Sequence, residues 1–332
     1  NVGLFDLTPF SKFEIKSDKA HKELQKICTA NIKNEVGKCI YTHMLNPDGG
    51  IETDLTVVCI EKDHFRIISS AATRERDKFH IKKYLAKDVE LKDVTDDFCV
   101  FGVFGPKSRA LMKSISKDDF ENDEFRFGTA KYISIEGIKI WTQRLSYVGE
   151  LGFELYVRLK DAKKIYELLI DKGKDFNLSN CGMHAMDIMR MESGFLHWGH
   201  DISPEENQYQ AGLSFTISSK KEDEFIGKKA LEKIKKEKIK SRFAMFTLKD
   251  SKPGEPLLLH DEPIYLENKI IGRSTSGNYS FNFKKNLAFG YINNDISNDE
   301  LHKKDLFIEV EKKKYPIEII IKPLKQTNFK NN

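Results

Sequence analysis

The sequence predicts an α+β fold that ends in a small all-β unit, a C-terminal β-barrel or sandwich. Three observations carry that expectation. Over the first two thirds of the chain, strand-like and helix-like stretches follow one another without a clean parallel βαβ repeat. Composition then shifts near residue 220, where 220–240 is rich in Lys and Glu and reads as a helical connector with a solvated face. Beyond residue 243, six short strand patterns recur between turn residues.

The elements follow in order. Residues 10–15 alternate apolar and polar side chains and predict a strand. Ser17-Asp18 then caps a helix that runs to about Cys28, with Ala20, Leu24 and Ile27 on one face. Residues 40–45 are strand-like, Asn46-Pro47-Asp48-Gly49-Gly50 is a strong turn, 51–60 is a strand and 65–69 its partner. A charged amphipathic helix covers 73–85. Residues 100–105 form a strand that stops at Gly105-Pro106, before a helix at 108–116. Two strands flank Glu136-Gly137 within 131–144, and another strand closes the stretch 147–157. Helices are expected at 162–172 and 182–193, with Gly194 as a C-terminal cap. The last strands are 243–248, 262–265, 269–274, 287–292, 306–310 and 315–321.

Composition excludes several classes. Of 332 residues, 39% are hydrophobic and 11% aromatic, which permits a sizeable core and argues against intrinsic disorder. The 55 basic and 51 acidic side chains leave a net charge of only +4, so no nucleic-acid partner is expected from charge. No run of ~18 apolar residues suggests a membrane span. Cys28, Cys39, Cys59, Cys99 and Cys181 are odd in number and widely spaced, without a C-x-x-C. That argues against a disulfide framework or a zinc site and predicts a reducing, cytoplasmic setting. P-loop, dinucleotide-binding and nucleophile-elbow motifs are absent. The chain opens at Asn1 and enters a patterned segment at once, so it reads as a piece whose upstream part is missing.

Three groups of residues suggest chemistry. Asp54 stands in a convincing strand, where Asp is disfavoured, on the face shared by Glu52 and Thr56. That face is either an exposed polar surface or a carboxylate aimed at a cationic or proton-bearing group. Tyr147 and Glu154 flank a glycine-containing turn. Glu154 is either a surface residue or a carboxylate that accepts two parallel N–H donors from a flat amino-heterocycle. His197-Trp198-Gly199-His200-Asp201 offers a metal pair, a pocket wall or plain packing. Arg190 and Glu192, just upstream, read as an internal ion pair.

Together these residues resemble the glycine-cleavage T-protein (aminomethyltransferase) family, and within it the folate-binding C-terminal half of dimethylglycine and sarcosine dehydrogenases. The matching runs include Gly3-Leu4-Phe5-Asp6, Tyr41-Thr42 with Met44-Leu45-Asn46, and Gly49-Gly50-Ile51-Glu52-Thr53-Asp54. They continue with Tyr147-Val148-Gly149-Glu150-Leu151-Gly152-Phe153-Glu154-Leu155-Tyr156, His197-Trp198-Gly199-His200-Asp201 and Thr275-Ser276-Gly277. The resemblance spans nearly the whole chain. It implies a three-subdomain, clover-like folate-binding fold, with residues 1–235 forming a two-subdomain folate-binding domain and 241–325 the β-barrel. Carried over by position, Asp54 is the catalytic carboxylate and Glu154 grips the pterin. Tyr147, Leu155, Tyr156 and Phe215 line the cofactor site, Phe215 as a pocket aromatic.

The implied cofactor is tetrahydrofolate, with FAD only in an upstream domain. The implied reaction passes the iminium carbon of an oxidised N-methyl amine (dimethylglycine or sarcosine) to folate, giving 5,10-methylenetetrahydrofolate. Two positions depart from the T-protein pattern. Met186 replaces a folate-tail arginine, and Phe329-Lys330 replaces an aromatic pair. The competing readings are a free-standing aminomethyltransferase or sulfonium demethylase, and a non-catalytic folate-binding module. The last usually carries a Lys-Gly-Cys motif where this chain has His197-Trp198-Gly199-His200.

Overall fold

Alternating side chains build two open sheets and a closed barrel, and the faces they bury fix where polar groups gather. The computed structural model describes residues 1–221, 223–326 and 330. The chain begins with β1 (Val2–Asp6), β2 (Ser11–Lys16), α1 (Ala20–Ile27), β3 (Cys39–Leu45), β4 (Ile51–Glu61) and β5 (His64–Ser69). It continues with α2 (Arg74–Tyr84), β6 (Leu91–Asp93), β7 (Phe98–Phe104), α3 (Ser108–Ile115), β8 (Ala130–Ile135) and β9 (Ile138–Gln143). Then come β10 (Gly152–Arg158), α4 (Leu159–Gly173), β11 (Leu178–Cys181) and α5 (Met183–Glu192). The last part holds α6 (Lys228–Lys236), β12 (Ser241–Leu248), β13 (Pro263–Leu266), β14 (Lys269–Ser280), β15 (Lys285–Asn293), α7 (Asn298–Lys303), β16 (Leu306–Val310) and β17 (Lys313–Ile320).

The first sheet has the order β11-β1-β7-β10-β9-β8 and the second β3-β4-β5-β2-β6. The barrel closes as β12-β15-β14-β13-β16-β17, which decides between barrel and sandwich. On one face of the first sheet, Val103, Phe153, Leu155 and Val157 pack with Leu111 and Met112 of α3 and Ile165 and Leu169 of α4. On one face of the second, Phe13, Leu55, Val57 and Phe65 pack with Ala20, Leu24 and Ile27 of α1 and Ile81 of α2. The remaining faces meet each other. Phe5, Phe98, Val100, Phe104, Trp141 and Tyr156 of the first sheet touch Val58 and Ile60 of the second. Each fully buried side chain of this kind stabilises the fold by about 1.5–3 kcal/mol.

Several expectations shift. β1, β6, β11 and α7 are additional elements, and β14 runs six residues past its expected end at Ser274. Among the described residues of the connector, the helix is confined to α6. Ser17 does not cap α1 with its side chain; the helix starts at Ala20 after an uncapped Lys19, and the Ser17 carbonyl accepts from the Ala20 N–H. Gly194 does close α5. Its φ is 74°, the Phe195 N–H donates to the Arg190 carbonyl and the Gly194 N–H to the Met191 carbonyl, as in a Schellman motif. Among the described residues, no helix is long and apolar enough to cross a membrane.

Candidate functional site

Strand periodicity decides which way Asp54 looks. Leu55, Val57 and Cys59 of β4 belong to the helix-covered core, while Val58 and Ile60 belong to the core between the sheets. Asp54, two and four residues from Thr56 and Val58, therefore shares the inter-sheet face and not an outer polar surface. On the opposing sheet, Glu154 shares its face of β10 with Tyr156, which packs in the same inter-sheet core. The two candidate carboxylates are thus carried on different sheets, on the sides that face each other.

Asp54 pairs in register with His43 of β3, and Tyr41 is its diagonal neighbour. The Tyr41 hydroxyl donates to Asp54 Oδ2 at 3.0 Å. Tyr41 keeps 38% of its surface open although protein surrounds it, as for a side chain that lines a recess. Burial pushes the Asp54 carboxyl up to about 7; the Tyr41 hydrogen bond works against this, and the nearby Asp77 adds to it. Asp77 of α2 is itself held by the hydroxyls of Thr53 at 3.1 Å and Thr73 at 2.7 Å.

Burial likewise pushes Glu154 up to about 7, with the Tyr156 hydroxyl opposing it through a 3.1 Å hydrogen bond. Directly across from Glu154 on β9 stands Gln143. It is fully buried, and neither atom of its amide has a hydrogen-bond partner among the described residues. The Trp141 indole N–H, two residues along the same face, is also without one. Unpaired buried polar groups cost about 1–3 kcal/mol each, and here two donors and one acceptor keep hydrogen-bonding capacity that the described residues do not use.

The loop after α5 fixes the entrance of β4. Trp198 donates its indole N–H to the Ile51 carbonyl at 3.0 Å, and the Arg76 guanidinium lies 4.4 Å over its ring. A Cβ on Gly50 would lie 1.8 Å from the Pro204 carbonyl oxygen, so only glycine lets this loop approach. Asp201 is wholly buried. It accepts from Arg190 at 2.5 Å, Thr275 at 2.6 Å, Ser276 at 2.8 Å and the His197 N–H at 3.0 Å. Arg190 also donates to Asp187 and Ser276, each at 2.9 Å.

This network corrects the expected Arg190–Glu192 pair. Residues two apart on a helix point to different sides. Arg190 takes Asp201 and Asp187, while Glu192 accepts from Ser280 at 2.6 Å and Asn282 at 2.9 Å in the barrel. Both carboxylate oxygens of Asp201 are thereby engaged. Among the described residues, no group of three or more His, Cys, Asp and Glu side chains is placed to hold a metal.

The other expected site residues are distributed unevenly. Tyr147 is close enough to Asp54 and Arg190 to feel both charges; its hydroxyl donates to the Leu196 carbonyl at 2.9 Å, and its ring stacks on Phe195. Leu155 points the other way from Glu154, into the helix-covered core. Phe215 lies in a short turn and is 74% exposed. Met186 packs in the inter-sheet core. Phe329 lies outside the described residues. Sequence reasoning assigned no role to Tyr41, His43 or Gln143. Tyr41 and His43 left one trace, an alternation of polar rings on β3 opposite Asp54.

Two facing sheets that carry part-buried carboxylates, with a six-stranded barrel held by Thr275 and Ser276 on the buried Arg190–Asp201 pair, match the fold of an aminomethyltransferase. The crystal structure of glycine cleavage system aminomethyltransferase T from Bartonella henselae superposes with a TM-score of 0.86 at 21% identity, over 98% of this chain and 86% of that one. The GCVT N-terminal domain model matches residues 1–221, and the glycine cleavage T-protein C-terminal barrel domain matches 242–325. The chain belongs to the glycine-cleavage T-protein family of enzymes. It is 34% identical to mitochondrial dimethylglycine dehydrogenase of Rattus norvegicus over 97% of its own length, and spans 37% of that protein. It is 31% identical to an aminomethyltransferase of Alkaliphilus metalliredigens, over 99% of this chain and 88% of that one.

Proposed function

We propose that the chain binds a reduced folate between its two sheets and transfers to it the one-carbon unit of an oxidised N-methyl amine, giving 5,10-methylenetetrahydrofolate. The observation that carries this reading is the pair Asp54 and Glu154, which lie on the facing sides of the two sheets and are both pushed up to about 7 by burial. Folate fits the polar groups present. Its flat amino-pyrimidinone edge offers parallel N–H donors to Glu154, and both donor and acceptor to the unpaired Gln143 amide.

Bound there, folate supplies nucleophilic nitrogens that accept the carbon. The chain's own groups do the rest. Ionised Asp54 stabilises the electron-poor iminium carbon and takes up the proton released from the attacking nitrogen, and that proton goes to the donor amine as its C–N bond breaks and it leaves. A carboxyl that titrates near neutrality is suited to both states. Tyr41 holds the orientation of that carboxylate through its hydroxyl.

Similarity to dimethylglycine dehydrogenase over 97% of the chain supports delivery of the iminium by a flavin-bearing partner segment. Met186, where the T-protein has an arginine, supports the same branch. A free-standing aminomethyltransferase acting on a carrier-bound aminomethyl group is the second reading. It is favoured by coverage of 88% of the Alkaliphilus protein. Titration calorimetry of the full chain with tetrahydrofolate tests the common element: micromolar binding that Glu154→Gln weakens is expected, and no binding overturns the proposal. Turnover with formaldehyde or an oxidised N-methyl amine, against turnover only with an aminomethyl-loaded carrier, separates the two readings.

A further inference from the structure

Behind Asp54 lies a polar chain that the transfer reading does not require. His43 is fully buried, and burial pushes it down to about 3, so its ring is neutral. Its tautomer follows from its neighbours. Thr216 has one hydroxyl proton, and that hydroxyl donates to the Leu213 carbonyl at 2.7 Å. The same oxygen lies 3.0 Å from His43 Nδ1, so it must accept there, and Nδ1 carries the proton. Gln208 agrees. Its Nε2 stands 3.5 Å from Nδ1 while its Oε1 has no partner among the described residues, and a half-turn of the amide presents Oε1 to Nδ1–H.

Nε2 of His43 is therefore a bare acceptor. It faces the Tyr41 hydroxyl at 3.3 Å, in rings held edge to face at 74°. That hydroxyl is also 3.0 Å from Asp54 Oδ2. One proton thus has two acceptors.

We infer that His43 is a positioning residue for Asp54, acting through a two-way Tyr41 hydroxyl that points at Asp54 when the carboxyl is ionised and at His43 Nε2 when it is protonated. This rests on the reading of Asp54 as proton acceptor. The step balances: the proton taken by Asp54 becomes its O–H and donates to the Tyr41 oxygen, the Tyr41 O–H turns to Nε2, and His43 neither gains nor loses a proton. The other titratable groups that act on Asp54 are Asp77 from α2 and Tyr147 from the loop before β10, with Arg190 acting on Tyr147. They set its charge balance through space.

The two ends of the relay have opposite effects. Without His43 the phenol proton has only Asp54 to serve, which favours the ionised carboxyl. Without the Tyr41 hydroxyl the ionised carboxyl loses its donor, which favours the protonated form.

The test needs no folate. Ring 15N spectra of the full-length wild-type chain should show His43 with protonated Nδ1 and bare Nε2 from pH 5 to 8. The Nε2 signal should step at the Asp54 midpoint read from carboxyl 13C shifts. Tyr41→Phe should erase the step and raise the Asp54 midpoint, while His43→Leu should lower it, each by about one pH unit. A protonated Nε2, an Nε2 signal blind to the Asp54 titration, or midpoints that move the same way in both variants would overturn the relay. Wild-type spectra alone decide the tautomer if His43→Leu does not fold. Loss of the relay leaves folate binding intact as a separate question, and absence of folate binding with the relay present counts against the transfer reading alone.

Discussion

The Tyr41 hydroxyl lies 3.0 Å from Asp54 Oδ2, bridging β3 and β4 on the face turned toward the first sheet. Among the described residues this is the hydrogen bond that holds the carboxylate.

Asp54 makes the ligand-free protein less stable at high pH. Its folded pKa, about 7, lies above its ordinary carboxylate value. Between about pH 4 and 7 the folded state holds a proton that the unfolded state has released, so stability falls as pH rises through that window. Asp54→Asn removes this loss. Urea denaturation should find the variant about 1–2 kcal/mol more stable than wild type at pH 8, after allowance for partial solvent access, and the gap should close near pH 4. A gap that widens toward low pH contradicts the assignment.

Arg190 and Asp201 hold the barrel against the two-sheet body. Removing one partner of a buried pair typically costs about 3–5 kcal/mol. Arg190→Ala should cost that much in denaturant melts and admit protease near the barrel junction before the rest unfolds. Single-step unfolding at wild-type midpoint would refute the role.

Trp198→Phe keeps the ring and deletes the N–H to Ile51. A loss of about 1–2 kcal/mol is expected, measured by thermal melts. A neutral result would mean that the start of β4 is held by its other bonds.

Glu154→Gln should weaken tetrahydrofolate binding about 10- to 100-fold by calorimetry, since a charged acceptor is exchanged for a neutral one. Far-UV spectra should not change. Gln143→Leu should do the same to a lesser degree.

Much of the fold was legible because period-two alternation is written into β4, β9, β10 and the barrel strands. β11, Leu-Ser-Asn-Cys, carries no such pattern; it is a strand because β1 pairs with it in parallel. The end of β14 was missed for a related reason. Ser276 reads as a turn residue, yet it continues the strand through an irregular register and reaches Arg190. Asp54 and Glu154 stood out as carboxylates in apolar strands. His43 did not, since Thr216, 173 residues away, is what defines its tautomer. Likewise the Gln143 amide looks ordinary in sequence and becomes conspicuous only when burial leaves it unpaired.

Asp54 is proposed to carry the transfer. The most direct measurement follows 13C-labelled formaldehyde into tetrahydrofolate on the full chain, wild type against Asp54→Asn, at saturating folate. Retained folate binding with transfer slowed at least about 100-fold is expected. Transfer at the wild-type rate in the variant would contradict it.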